Sequence, residues 1–378
     1  MRLALFFTYD ISLVTWARTG LIQREIALYE ALVRNGIDVT FITYGDMSDR
    51  ALSNELGGIN VCCVYERKVR PRYKYVRYFY SLLIGWVFHN EIERVDVIKT
   101  NQVWGGWSAV ISKWLLRKPL IVRGGYEPYT FIKLSQSSLF KQTVYKLICR
   151  FIYSNADFIQ MATQADAATV NEIFGVEMNR IRVAPNWVDT ELFYPFEKPN
   201  LISNTVLVVG RLDWQKNIEL VLYALQGTGI KLDVIGSGNE ETSLRILAKE
   251  LAVETRFLGK VDNNALPTYY NRYPVYVLCS RFEGNPKTLL EAMSCGCSTV
   301  ATNVVGINSI VQHGVNGLLC QADKDSVRSS ILQLLASPEK RKIIGQQARI
   351  SILKEYSFQK QLQDEIAFIS EATVNYRS

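Results

Sequence analysis

Residues 275–317 constrain this chain more than any other stretch. They read V-Y-V-L-C-S-R-F-E-G-N-P-K-T-L-L-E-A-M-S-C-G-C-S-T-V-A-T-N-V-V-G-I-N-S-I-V-Q-H-G-V-N-G. The apolar run Val275–Leu278 predicts a buried parallel strand. A polar loop with Glu283, Gly284 and Asn285 follows. The fixed φ of Pro286 predicts the first position of a helix. Leu289, Leu290, Ala292 and Met293 give that helix an apolar face, Gly296 ends it, and residues 298–301 predict the next strand. Strand, loop, helix and strand make one βαβ unit. Such units bind ligands beyond the C-terminal ends of their strands, where the free N–H groups of a helix N-terminus suit a phosphate. Glu283 and Glu291 flank that position. A carboxylate accepts hydrogen bonds from hydroxyl pairs, so the two are placed to hold a sugar and a ribose on either side of a diphosphate. In isolation each glutamate reads as a solvated surface charge; only the surrounding pattern raises them above that.

The bulk properties set the frame. A chain of 378 residues with 48% hydrophobic composition predicts two globular domains of ordinary size. The longest apolar stretch of the first half, residues 78–88, is far short of the roughly 20 residues that span a bilayer. The opening M-R-L-A-L-F-F-T-Y-D reads as a first strand rather than a signal peptide. Seven cysteines are scattered without any C-x-x-C, which argues against a zinc site or a disulfide framework and suits reduced thiols in the cytosol. The net charge of +7 is uneven: residues 1–190 hold 23 Lys/Arg against 17 Asp/Glu.

In chain order, residues 3–7 predict a strand and residues 18–20 a loop. A helix carrying Ile22, Ile26, Leu28, Tyr29, Leu32 and Val33 ends at Asn35-Gly36, and Asp38–Thr43 is the second strand. Gly20 fits a tight turn at least as well as a phosphate contact. The absence of a full G-x-G-x-x-G argues against a dinucleotide-binding dehydrogenase. Residues 66–90 interleave Arg67, Lys68, Arg70, Arg72, Lys74 and Arg77 with tyrosines before an apolar run. Three readings stand: a membrane-surface patch, a basic groove for an anionic acceptor, and a solvated loop followed by a packed helix. Nucleic-acid binding is disfavoured, because no recognisable module accompanies the basic residues. Further strands are expected at 95–100, 120–122, 158–163 and 181–184. Polar residues stand at two of those strand ends, Asn101 at one and Arg123 and Glu127 at the other. Residues 185–204, with Pro185, Pro195 and Pro199, read as a linker.

The second half opens with a strand at 206–209 and the loop Gly210-Arg211-Leu212-Asp213-Trp214-Gln215-Lys216-Asn217 before a helix. Arg211 offers a forked guanidinium and Lys216 a point charge. Residues 232–235 lead into Gly236-Ser237-Gly238, a weak phosphate-type turn. Asp323-x-Asp325 resembles a metal-binding pair but is better explained as a helix cap with first-turn charge. Amphipathic helices fill 338–373.

Three motifs carry a resemblance. The E-x7-E pair inside E-G-N-P-K-x-L-L-E-A-M-x-C-G, the G-R-x-x-x-x-K-N loop at 210–217 and the P-N-W-V-D turn at 185–189 resemble the signature of retaining GT-B glycosyltransferases. These are the glycosyl transferases group 1, which include glycogen synthase and sucrose synthase; in this chain Trp187 replaces the family's glycine in the turn. The resemblance is strong over residues 200–320 and weak over 1–190. It implies an α/β chain of two facing Rossmann-like domains with parallel sheets and an interdomain cleft: residues 1–190 on the acceptor side, 191–360 holding the nucleotide-sugar, and 361–378 a C-terminal helix crossing back. It further implies transfer of a sugar, with retention, from a UDP- or GDP-sugar to a glycan or lipid-linked acceptor, without metal or other cofactor, at the cytoplasmic side of a membrane contacted through 67–77. By the same resemblance, Arg211, Lys216 and Glu283 are the catalytic residues. Glu291, Gly284, Asn285, Pro286, Lys287, Gly210, Gly236 and Gly20 bind donor, and Arg123, Glu127 and Asn101 are acceptor-side candidates. The family's acceptor-side histidine has no match, since the chain's histidines are His89, expected to pack on its helix, and His313. A nucleotide-sugar epimerase and a catalytically silent partner subunit remain alternatives, and a lipid- or nucleic-acid-binding module organised by the 67–77 patch is a third.

Overall fold

A computed structural model describes residues 1–19, 22–53, 56–66, 70–135, 137–197 and 200–376, and every count below concerns those residues. The chain divides into two units, residues 1–184 with 362–378, and residues 185–361.

The first unit is a seven-stranded parallel sheet in the order β3-β2-β1-β4-β5-β6-β7. Its strands are β1 Arg2–Phe6, β2 Asp38–Thr43, β3 Asn60–Cys63, β4 Val97–Thr100, β5 Leu120–Gly124, β6 Phe158–Met161 and β7 Ile181–Val183. Side chains alternate between faces along a strand, so Ala4 and Phe6 feed one apolar layer and Leu3 and Leu5 the other. The last helix, Phe358–Asn375, adds Phe368, Ile369 and Ala372 to the second layer.

The second unit is a six-stranded parallel sheet ordered β10-β9-β8-β11-β12-β13. Its strands are β8 Thr205–Val209, β9 Lys231–Ile235, β10 Thr255–Gly259, β11 Val275–Leu278, β12 Ser298–Thr302 and β13 Leu318–Cys320. β8, β11 and β12 are buried along their whole length, as apolar strands covered on both faces must be. In both sheets the chain's winding reverses beside the first strand, between β1 and β4 and between β8 and β11. The loops after such neighbours diverge and leave a crevice.

The structure corrects several local expectations. Residues Leu13–Arg18 form a helix that the sequence reading did not include, and Arg18, expected in a loop, is its last residue: Ser12 caps the helix by accepting from the Thr15 N–H, and Leu13 and Trp16, one turn apart, are buried. The edge strand β3 carried no sequence signal, being four residues long. Pro286 is the N-cap of the helix Lys287–Ser294, with an extended ψ of 109°, and not its first residue. His89 is exposed and lies 3.9 Å from Glu93, one helical turn on, instead of packing inward. Asp323 does cap the helix Lys324–Ala336, accepting from the N–H groups of Asp325 and Ser326.

Candidate active site

The crevice of the second unit is built by two loops. One runs from Gly210 to Asn217 after β8, the other from Cys279 to Pro286 after β11. Because β8 and β11 are hydrogen-bonded neighbours, with Val206 opposite Val275, the loops leave the sheet side by side. Gln215 stitches them together: its carbonyl accepts from the Arg281 N–H at 2.8 Å and its side-chain amide donates to the Phe282 carbonyl at 3.0 Å. Two glycines permit the close approach of further turns. A Cβ on Gly236, at φ +136°, would meet the Gly210 carbonyl at 1.8 Å, and one on Gly306, at φ +88°, would meet the Gly284 carbonyl at 2.2 Å.

At the centre, Lys216 Nζ donates to Glu283 Oε1 at 2.5 Å, with 14% and 7% of the two side chains exposed. The Ser280 hydroxyl donates to the same oxygen at 2.5 Å. Glu283 Oε1 is thus engaged twice, while Oε2 has no hydrogen-bond partner among the described residues. The arrangement offers a fixed cation beside a carboxylate oxygen still able to accept from a hydroxyl. Arg211 stands at the rim, 71% exposed, 3.3 Å from Asp213 Oδ2.

Glu291 lies on the helix Lys287–Ser294, 4% exposed, accepting from the Tyr270 hydroxyl at 3.0 Å. Burial and the Glu291 charge push the Tyr270 hydroxyl well above its ordinary pKa, so it remains a donor. The P-N-W-V-D turn meets the E-G-N-P loop through paired amides: the Asn186 N–H donates to Asn285 Oδ1 at 3.0 Å, and the Asn186 side chain donates to the Asn285 carbonyl at 2.6 Å. Trp187 presents its ring to the Lys287 ammonium at 6.0 Å and packs on Phe358. Sequence reasoning placed Arg211, Lys216, Glu283 and Asn285 around one crevice but gave no role to Gln215, Ser280, Asn186 or Tyr270. Only the position of Gln215 and Ser280 inside strand-end loops pointed to the first two.

The first unit places its three polar candidates apart from one another in function. Glu127 is buried and caps the helix Pro128–Leu134, accepting from the Tyr129 and Thr130 N–H groups; burial raises its pKa. The Asn101 N–H donates to the Phe6 carbonyl at 2.8 Å. Arg123 is half-buried on β5. Near it lies a polar cluster unanticipated from sequence: Lys99 of β4 forms a buried ion pair with Glu365, whose other oxygen accepts from Gln160 at 2.9 Å. Gly20, Arg67 and Lys68 lie outside the described residues.

Comparison with known proteins agrees with this architecture. Residues 194–351 match the family described as Glycosyl transferases group 1, and residues 26–192 match Glycosyltransferase Family 4. N-acetyl-alpha-D-glucosaminyl L-malate synthase of Bacillus anthracis is 36% identical over 133 residues, 34% of each chain. N-acetylgalactosamine-N,N'-diacetylbacillosaminyl-diphospho-undecaprenol 4-alpha-N-acetylgalactosaminyltransferase of Campylobacter jejuni is 27% identical over 206 residues, 53% of this chain and 56% of that protein. The chain therefore spans about a third of the first relative and just over half of the second. A crystal structure of Anabaena HepE in complex with UDP has a TM-score of 0.77 at 16% identity, covering 98% of this chain and 100% of that one. The two glycosyltransferase family matches together run almost the length of both units, one to each half of the chain, and the chain has the GT-B fold of the solved structures it resembles.

Proposed function

We propose that the protein transfers a sugar from a nucleotide-sugar to a glycan or lipid-linked acceptor, with retention at the anomeric carbon and in the synthesis of a polysaccharide or glycoconjugate. The observation that carries this reading is the Lys216–Glu283 contact in the β8–β11 crevice. When the bond between sugar C1 and the diphosphate breaks, negative charge collects on the leaving oxygens. Lys216, held at the strand end, stabilises it without reorganising at the moment of reaction, and Arg211, exposed at the rim, adds a second cation. Glu283 Oε2 accepts from the sugar hydroxyls, and Glu291, oriented by Tyr270, accepts from the ribose. The charge on the diphosphate is carried by side chains, so the proposal includes no metal. HepE binds UDP in its crystal structure, and the Campylobacter relative is named for an undecaprenol-linked substrate; both favour this donor and acceptor class. Membrane contact through the surface around 70–87 belongs to the same reading.

The test is a thermal-shift screen with UDP-, GDP- and ADP-sugars, since a ligand that binds only the folded state raises its melting temperature. One nucleotide class is expected to raise it. The product formed from that donor, examined by proton NMR, is expected to keep the donor's anomeric configuration. No shift with any nucleotide sinks the donor reading, and an inverted product sinks retention.

A further inference from the structure

A second polar pocket lies wholly inside the first unit, beyond the C-terminal ends of β1, β2 and β3. Its volume is about 160 Å³, and it is lined by Ser12, Thr15, Arg18, Asp46, Tyr65 and Arg70 among others. The site described above uses none of these residues. The pocket sits where parallel α/β sheets receive ligands.

What the pocket takes follows from a count of donors and acceptors. Formal charges near it balance, with Arg18, Arg70 and Arg77 against Asp10, Asp46 and Asp49, but the carboxylates are already engaged. Asp49 is fully buried and accepts from the Leu13 N–H at 2.9 Å and the Val14 N–H at 3.0 Å. It fits only because residue 45 is glycine; a Cβ there would meet the Asp49 carboxylate at 2.0 Å. Asp10 takes Arg70 at 2.6 Å on one oxygen and Arg77 at 3.2 Å on the other. Asp46 accepts from the Ser48 N–H at 2.9 Å. Ser12 and Thr15 hydrogen-bond each other. The donors are the groups left over. Tyr65 is 2% exposed, and its buried hydroxyl has no hydrogen-bond partner among the described residues; the same holds for Arg77 Nε close by. Arg18 makes no ion pair among the described residues, and Arg70 gives only one N–H to Asp10. A buried donor without a partner is costly, and a pocket with surplus donors calls for an acceptor-rich ligand. Guanidinium forks beside a hydroxyl fit the oxygens of a phosphate or a carboxylate.

We infer that this pocket is a subsite for an oxyanion, phosphate or carboxylate, borne by the sugar or polyol acceptor, held by Arg18, Arg70 and the Tyr65 hydroxyl. The inference deepens the transferase reading, on which the identity of the ligand as acceptor rests.

Calorimetry on the full chain tests it, with sn-glycerol 3-phosphate and glucuronate as probes and glycerol and glucose as their neutral counterparts. At least one anion is expected to bind about tenfold tighter than its counterpart, the discrimination typical of a hydrogen-bonded charge. Arg18→Gln and Tyr65→Phe are each expected to weaken that binding about tenfold and to leave UDP affinity unchanged. Tyr65→Phe removes an unpartnered buried hydroxyl, so its melting temperature is expected to hold or rise; loss of anion binding without loss of stability separates a ligand contact from a structural one. Preference for glycerol phosphate assigns a phosphate, and preference for glucuronate a carboxylate. Equal binding of charged and neutral probes, or anion binding indifferent to both variants, overturns the inference. UDP titrated into the same wild-type sample keeps the two readings apart: absence of UDP binding sinks the donor site and leaves the oxyanion result standing.

Discussion

The two units share one plan and use their strand ends differently. In the second, the key pair comes from two strand-end loops on adjacent strands, Lys216 after β8 and Glu283 after β11, 67 residues apart. The contact follows once β8 and β11 are known to be neighbours. In the first, Asp10 in the β1 loop is held by Arg70 and Arg77 from beyond β3, and Lys99 of β4 finds its partner 266 residues away on the last helix. The second unit thus places its charges where an anion would meet them, while much of the first unit's charge is tied up in holding loops and a terminal helix together. Each unit has a buried ion pair near its strand ends: Lys216–Glu283 joins two strand-end loops, and Lys99–Glu365 joins a strand to the last helix.

Two substitutions set that contrast most sharply. Lys216→Met and Lys99→Met each leave a buried carboxylate unpaired, and each is expected to destabilise its unit by about 3–5 kcal/mol in urea unfolding. Only Lys216→Met is expected to cut transfer as well, by about 3–4 kcal/mol in kcat/KM, the scale of losing one electrostatic donor. Lys99→Met, assayed below its melting temperature, should keep wild-type UDP affinity. Adding Glu283→Gln to Lys216→Met should restore most of the stability and none of the turnover. If both single variants lost UDP affinity alike, the separation between a catalytic and a structural ion pair would collapse.

How much was legible in advance follows the same line. The βαβ unit at 275–302, the charged loop at 210–217 and the Asp323 cap were readable because each pairs local periodicity with a residue whose role is set by its immediate neighbours. The Leu13–Arg18 helix was missed because its six residues leave little periodicity to detect, though the Ser12 cap was present. Glu127 read as an acceptor-side candidate because a carboxylate at a strand end looks catalytic; in the fold its oxygens are occupied by two backbone N–H groups. Asn186–Asn285 and Tyr270–Glu291 join residues 99 and 21 positions apart. No window of sequence shows such pairs, because they are set by which loops the sheet order brings together.

A smaller effect is expected at Arg211. Its side chain is exposed and its contacts with Asp213 and Gln215, both at 3.3 Å, are surface contacts, which contribute little to stability. Arg211→Ala should leave the urea midpoint unchanged and reduce kcat/KM by about 2–3 kcal/mol. Arg211→Lys should recover only part of this, since an ammonium lacks the planar fork that spans two phosphate oxygens. A stability loss comparable to that of Lys216→Met would mean that Arg211 is part of the scaffold.

The smallest effect concerns the outer surface of the first unit. Of the six cations between 67 and 77, Arg70 and Arg77 pair with Asp10, Arg70 through one N–H, and Arg67 and Lys68 lie outside the described residues; Arg72 and Lys74 are exposed. Beside them stand exposed Tyr73, Tyr75 and Phe79, and the following turn exposes Leu83, Trp86 and Val87 while burying Ile84 and Phe88. No helix among the described residues is long and apolar enough to cross a bilayer. A cation near an anionic leaflet contributes about 1 kcal/mol at most, and added salt removes it as the Debye length shortens. Arg72→Gln with Lys74→Gln should therefore weaken cosedimentation with anionic vesicles by about 2 kcal/mol at low salt and change nothing at high salt. Phe79→Ser with Trp86→Ser should instead remove a remainder that persists at high salt, because apolar burial is not screened by ions. Both pairs should leave UDP affinity intact, since none of the four residues belongs to the loops that build the β8–β11 crevice. If wild type and both variants sediment equally at every salt concentration, this face does not dock on lipid, and the surface contrast between the two units loses its functional meaning.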